Sequence, residues 1–236
     1  MVPSQYSDKQ TSNYHNFENR YHLSFLVTIF KYLAILILPF LTLVRGSIYV
    51  HKHYDIGAYP SLFVGLALTT VLLFIYMTVI YSWLTKKLGD SDNIQRRFIL
   101  ALALSLGYCI YGIFFVSADN FKNPALKKEI SNMHPILRLG VSTFILVDKK
   151  LIITDASRLP EDYRRMGLPS ANSSLHYVQK DGYAYAIDLR TNNRNELRNQ
   201  LMSLYFKVLG FNTLRHVGTA DHLHISLHCH YRKGAR

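Results

Sequence analysis

The sequence predicts an α+β protein in two parts: three apolar helices that cross a membrane, then a small domain built on an antiparallel sheet. Three observations carry this expectation. Three apolar runs, residues 24–44, 61–84 and 98–117, fill the first half of the 236-residue chain. Each is long enough to cross a hydrocarbon core of about 30 Å at about 1.5 Å per residue. After residue 118 the pattern changes to short alternating segments and one amphipathic helix, the mark of a water-facing domain.

Residues 1–23 are polar and rich in Tyr, Asn and Ser, with no apolar stretch for a cleavable signal, so they read as a flexible tail. The first run carries one charge, Lys31, which either snorkels to an interface or faces another helix. The second ends in Tyr81 and Trp83, which suit an interfacial belt. The second and third are uncharged. The connection between them holds Lys86, Lys87, Arg96 and Arg97, against Arg45 and Lys52 between the first two. The excess of cations predicts a cytoplasmic connection and an extracytoplasmic C-terminal domain. His51 and His53 read as solvated loop residues.

Residues 119–129 are polar and basic and read as a juxtamembrane linker near lipid head groups. Residues 130–236 form the domain. Residues 134–147 fit a strand by their β-branched content and a helix by their spacing. Residues 151–154 read as a buried strand, 159–173 as a loop and 184–190 as a strand. Residues 193–209 read as an amphipathic helix with Leu197, Leu201, Leu204, Tyr205 and Val208 inward and Gly210 as its stop. Residues 213–217 and 222–227 read as two further strands.

The net charge is +12. From residue 119 onward there are 18 Lys and Arg against 10 Asp and Glu. This surplus favours anionic partners such as head groups or cell-wall polymers. No aromatic–basic motif points to nucleic acid. The two cysteines, Cys109 and Cys229, are placed too differently to be expected to bridge.

The chemistry gathers in the last third. His176, Asp188, His222 and His224 stand there, with Asp221 beside them. Two imidazoles and a carboxylate are a ligand set for catalytic zinc that leaves a position open. Period-two geometry places His222 and His224 on one face of a strand. Asp221 or His222 can then serve as general base. His228 and His230 share a face in the same way and could bind metal adventitiously.

The order of motifs resembles the zinc D-Ala-D-Ala carboxypeptidase and dipeptidase family, which shares its fold with the hedgehog signalling domain. The segment LIITDASRLPEDYRRMG matches a strand followed by Ser-Gly-Tyr-Arg, with Arg158 at the arginine. Ser174-Leu175-His176 matches Ser-X-His, Ala186-Ile187-Asp188 matches Ala-X-Asp, and His222-Leu223-His224 matches His-X-His. The resemblance covers residues 130–227. It implies that His176, Asp188 and His224 ligate zinc, that His222 stands behind the ligands or supports the transition state, that Arg158 grips a substrate carboxylate, and that Ser174 contacts the substrate or orients its loop. Asp221 stands where the family's basic glutamate stands, one methylene shorter. Between His176 and Asp188 a five-residue insertion around residues 179–183 is expected to bulge outward as a hairpin tip, with Asp181 a weaker alternative ligand. The expected function is a membrane-anchored zinc peptidase acting on peptidoglycan stem peptides, as carboxypeptidase or endopeptidase. The alternative is an inactive module that docks on cell-wall peptide or a partner protein.

Overall fold

The computed structural model describes the backbone of residues 5–165, 167, 174–218 and 220–231, and their side chains from Ser24 onward apart from Pro160. The chain forms two compact units, Met1–Phe40 and Leu41–Arg236.

Helix α1 runs from Gln5 to Tyr54, so it begins well inside the expected tail. Residues 5–23 contain no Gly or Pro, and a helix started by the apolar run meets nothing there to stop it. Pro39 lies inside the helix, where its ring removes one backbone donor. α1 also outruns the expected span by ten residues. Leu43, Val44, Ser47, Ile48 and His51 are buried on its last turns. The connection to α2 (Ala58–Thr85) shrinks to residues 55–57, so Arg45, His51, Lys52 and His53 are helical rather than looped. His51 is not solvated: its two ring nitrogens face the carbonyls of Ile56 at 2.8 Å and His228 at 3.0 Å.

α3 spans Ser91–Phe114 and is capped by the Asp90 carboxylate. Among the described residues, α1 from Ser24, α2 and α3 are the three helices long and apolar enough to cross a membrane. Small and hydroxylated residues bring them together, as expected where no water drives association. The Thr70 and Ser105 hydroxyls bond at 2.7 Å between α2 and α3. Gly65 lies so close to α1 that a Cβ there would sit 2.4 Å from the Leu43 carbonyl and 2.1 Å from Ser47 Oγ.

The expected linker is built into the domain. Asn120 is buried and donates to the carbonyls of Lys149 and Leu151. Phe121 is buried beside Ile153. The short helix α4 (Leu126–Glu129) follows. Residues 134–147 resolve as helix α5 (Pro135–Val147). His134 caps it and Pro135, fixed near the helical φ, starts it, which decides against the strand. β1 is Ile153–Asp155, α6 Pro160–Arg165, β2 Ala186–Arg190, α7 Glu196–Leu209, β3 Asn212–His216 and β4 His222–Ser226. α6 replaces part of the loop expected over 159–173, and residues 168–173 of that loop lie outside the described residues.

The sheet is antiparallel in the order β1-β2-β4-β3. Ile187 and Leu189 alternate with Asp188 and Arg190 on β2, while Leu223 and Ile225 alternate with His222 and His224 on β4. The four aliphatic residues are buried. One sheet face therefore builds the core and the other carries the polar set.

α7 buries a different face from the one its spacing indicates. Met202, Phe206, Leu209 and Asn199 are buried, whereas Leu197, Leu201, Leu204 and Val208 are exposed. The helix is apolar on two opposite faces, and periodicity cannot rank them. Phe206 and Met202 fill the core, and buried Asn199 donates to the Thr191 carbonyl. Gly210 ends the helix at φ 102°, as expected. The 179–183 insertion is a tight turn, closed by Gln179 N to Tyr183 O at 2.9 Å, with Gly182 at φ 85°. Cys109 and Cys229 are buried and unbridged.

Gly65→Ala forces α1 and α2 apart, an overpacking cost of about 1–3 kcal/mol. Thermal unfolding in detergent is expected to show a lower midpoint for Gly65→Ala and no change for Gly107→Ala, whose Cβ meets nothing within 4 Å.

Candidate metal centre

The strand pairing of β2 with β4 sets Asp188 opposite His224 and Arg190 opposite His222. All four stand on the polar face. His176 arrives from the loop before the 179–183 turn, and the Arg158 amide, donating to the His176 carbonyl at 2.8 Å, fixes that loop.

Three atoms converge. His224 Nδ1 lies 2.9 Å from Asp188 Oδ1, His176 Nε2 lies 3.4 Å from the same oxygen, and the two nitrogens are 3.3 Å apart. A tetrahedral zinc with bonds of about 2.0–2.1 Å spaces its donors by about 3.3 Å. The set fits, and these residues can hold a metal ion. The tautomer of His176 agrees. Its Nδ1 lies 2.7 Å from the Ala156 carbonyl and so carries the proton, which leaves the Nε2 lone pair facing the other donors.

Asp188 is buried with only 5% of its surface exposed. Burial alone raises its pKa. Against it, the His176 and His224 imidazoles beside the carboxyl outweigh burial and hold it well below the ordinary range. It is therefore an anion poised as a ligand.

The other expected site residues are placed as follows. His222 is adjacent to the set, with Nε2 3.6 Å from Asp188 Oδ2. His216 of β3 stacks on it with ring centres 4.8 Å apart. Ser174 accepts from the Tyr163 hydroxyl at 2.5 Å and from the His176 amide at 3.3 Å, so it shapes the ligand loop. Arg158 pairs with Asp155, approaches Asp188 at 4.0 Å and stacks over Tyr163. Asp221 accepts from the Thr191 hydroxyl and from the Arg215 guanidinium at 3.0 Å. Arg215, then Thr191, hold its carboxyl below the ordinary range. Asp181 accepts from the Tyr185 hydroxyl at 2.5 Å and stands outside the metal set. His228 and His230 also stand outside it, and His230 pairs with Asp55 at 3.2 Å.

A cavity of about 480 Å³ opens beside Asp188 and His222. Arg158, Arg190 and Lys122 line it with Asp155 and Asp221. Asp155 is spent on Arg158 and Asp221 on Arg215. Asp188 lines it as well, so three cations face three carboxylates, and Arg190 and Lys122 are the cations with no ion-pair partner among the described residues. Sequence reasoning passed over Arg190, although strand alternation from Asp188 places it on the same face.

Glu129 ends the segment whose composition is that of a linker. Its Oε2 is buried without a hydrogen-bond partner. Burial, with Asp162 adding, pushes its carboxyl up to about 7, while Arg158 and His176 oppose the rise. With this geometry in hand, comparison with known proteins adds no relative: no family model, no curated protein and no solved structure matches the chain. The fold and site define an α+β protein with three helices apolar enough to span a membrane and a His–Asp–His group able to hold a metal.

Glu129 gives a pH test on metal-free protein. A carboxyl raised by folding binds its proton more tightly in the folded state. Its ionisation therefore costs stability as pH rises from the unfolded value of 4.5 to about 7. Glu129→Gln removes this cost. Its melting temperature is expected to match the parent at pH 4 and to exceed it at pH 8. Parallel curves across that range would contradict the assignment.

Proposed function

We propose that the protein is a membrane-anchored zinc peptidase that hydrolyses peptides of the cell wall. The observation that carries this reading is the convergence of His176 Nε2, Asp188 Oδ1 and His224 Nδ1 at the spacing of a tetrahedral site, beside a cavity lined by Arg190 and Lys122. The motif order that resembles the zinc D-Ala-D-Ala carboxypeptidases and dipeptidases supports the same reading. Zinc held there supplies Lewis-acid polarisation of a peptide carbonyl and activation of water. His176, Asp188 and His224 hold it, and Ala156 orients His176 through the Nδ1 proton. His222, on the same sheet face, is positioned to steady charge developing beside Asp188. Asp221 is the base that the motif order implies, and its ion pair with Arg215 favours its anionic form. A stem peptide carries carboxylates, which suit Arg158, Arg190 and Lys122.

The four cations Lys86, Lys87, Arg96 and Arg97 lie at the end of α2 and α3 remote from the domain's connections. They support a cytoplasmic placement for that end and an extracytoplasmic domain.

One observation favours the second reading, a metal-holding module that docks on cell-wall peptide without cleaving it. Both polar groups expected to work on substrate, Arg158 and Asp221, are engaged within the protein. Incubation of the full chain, zinc-loaded in detergent, with purified muropeptides separates the two by mass spectrometry. Cleavage is expected, and His176→Ala is expected to lower it by at least about a hundredfold. Zinc retained with no product would establish the docking module instead.

A further inference from the structure

The connection between α2 and α3 buries a cation for which the described residues supply no anion. Arg97 is only 9% exposed. Its guanidinium lies over the Tyr81 ring, 4.4 Å from the ring centre, and its Nη2 donates to the Leu88 carbonyl at 2.7 Å. Its Nε and Nη1 are buried without a hydrogen-bond partner. A charge withdrawn from water is costly unless an opposite charge and enough acceptors meet it. One carbonyl and one ring meet only part of that need.

The surroundings are cationic as well. Lys86, Lys87 and Arg96 are exposed on the same connection. Over residues 85–97 they and Arg97 make four cations against two carboxylates, Asp90 and Asp92. Asp90 caps α3 by accepting from the Asn93 amide at 3.0 Å, and neither carboxylate is a hydrogen-bond partner of Arg97. The depth of the group is set by the sequence. Arg97 is the residue before the third apolar run, and the second run ends at Leu84. The guanidinium therefore stands at the border of the hydrocarbon, where the anion that a bilayer presents is the phosphate of its lipids.

The local backbone allows an approach. Gly89, at φ 87°, sits so close that a Cβ there would lie 3.6 Å from Arg97 Nη1, and it puts no side chain on that side. Leu88 and Gly89 belong to no helix, so a phosphate reaches the guanidinium by displacing a turn alone.

We propose that Arg97 is the centre of a binding site for the phosphate of an anionic phospholipid, with Lys86, Lys87 and Arg96 meeting the outer charge of the head group. The free donors of Arg97 bond phosphate oxygens, and Tyr81 holds the guanidinium flat to receive them. Its place one residue from an apolar run favours a phosphate carried by acyl chains over one free in water. The site lies at the end of α2 and α3 remote from the domain's connections, and it stands whether or not the metal centre is catalytic.

The test reads lipid retained by the delipidated full chain in detergent, by native mass spectrometry. Offered equal amounts of phosphatidylglycerol and phosphatidylcholine, the chain is expected to retain phosphatidylglycerol, and Arg97→Gln to lower that retention about tenfold. Arg96→Gln removes the same charge from an exposed position and is expected to lower it by less than about twofold. Tyr81→Leu keeps every charge and removes the ring beneath the guanidinium. It is expected to lower retention about threefold, and it carries the test if Arg97→Gln does not fold. Equal losses in Arg96→Gln and Arg97→Gln would overturn the site and leave only diffuse surface charge. Equal retention of the two lipids by the parent chain would overturn it too. Displacement of phosphatidylglycerol by excess inorganic phosphate would assign the guanidinium to a free phosphate and overturn lipid as the occupant.

Discussion

The Asp188 carboxylate, buried between His176 and His224, is the constraint around which the domain is arranged. A buried anion is costly unless its partners are fixed in place. The register of β2 with β4 fixes His224, and the loop held by Ala156, Arg158 and Ser174 fixes His176. The same register sets Arg190 opposite His222 two pairs further along, on the same face, so the cavity beside the site follows from the pairing that makes the site.

The domain does not hang from the three apolar helices on a tether. The last turns of α1 are buried in it, α5 runs along α3, and Asn120 pins the segment after α3 to residues 149–151. Leu41–Arg236 is accordingly one compact unit that includes the last turns of α1 and the whole of α2 and α3. The height of the cavity relative to the helices is therefore fixed by packing.

Much of this was legible in the sequence, and for identifiable reasons. The three spans are long uncharged or nearly uncharged runs, a signal that tertiary contacts hardly disturb. The strands carrying Asp188 and His224 were legible because alternation and motif order agreed. What was not legible depends on partners distant in sequence. Asp221 is held by Arg215 from β3, which is in turn held by Glu196 from α7. Residues 119–129 look like a linker by composition, and partners distant in sequence, among them Lys149, Leu151, Ile153 and Ser157, make them part of the fold. The helix at 134–147 was ambiguous because its Val, Thr and Ile content competes with its spacing, and the His134–Pro135 start decided it. The buried face of α7 is not legible because the helix has two apolar faces, Leu197, Leu201, Leu204 and Val208 on one and Met202, Phe206 and Leu209 on the other.

The most direct test of the centre is X-ray absorption at the zinc edge of the purified full chain, beside Asp188→Asn. The account predicts one zinc with a first shell of nitrogen and oxygen at about 2.0–2.1 Å, outer-shell scattering from two imidazoles, and loss of that signature in the variant. A signature unchanged by Asp188→Asn, or no zinc retained by the parent chain, would contradict it.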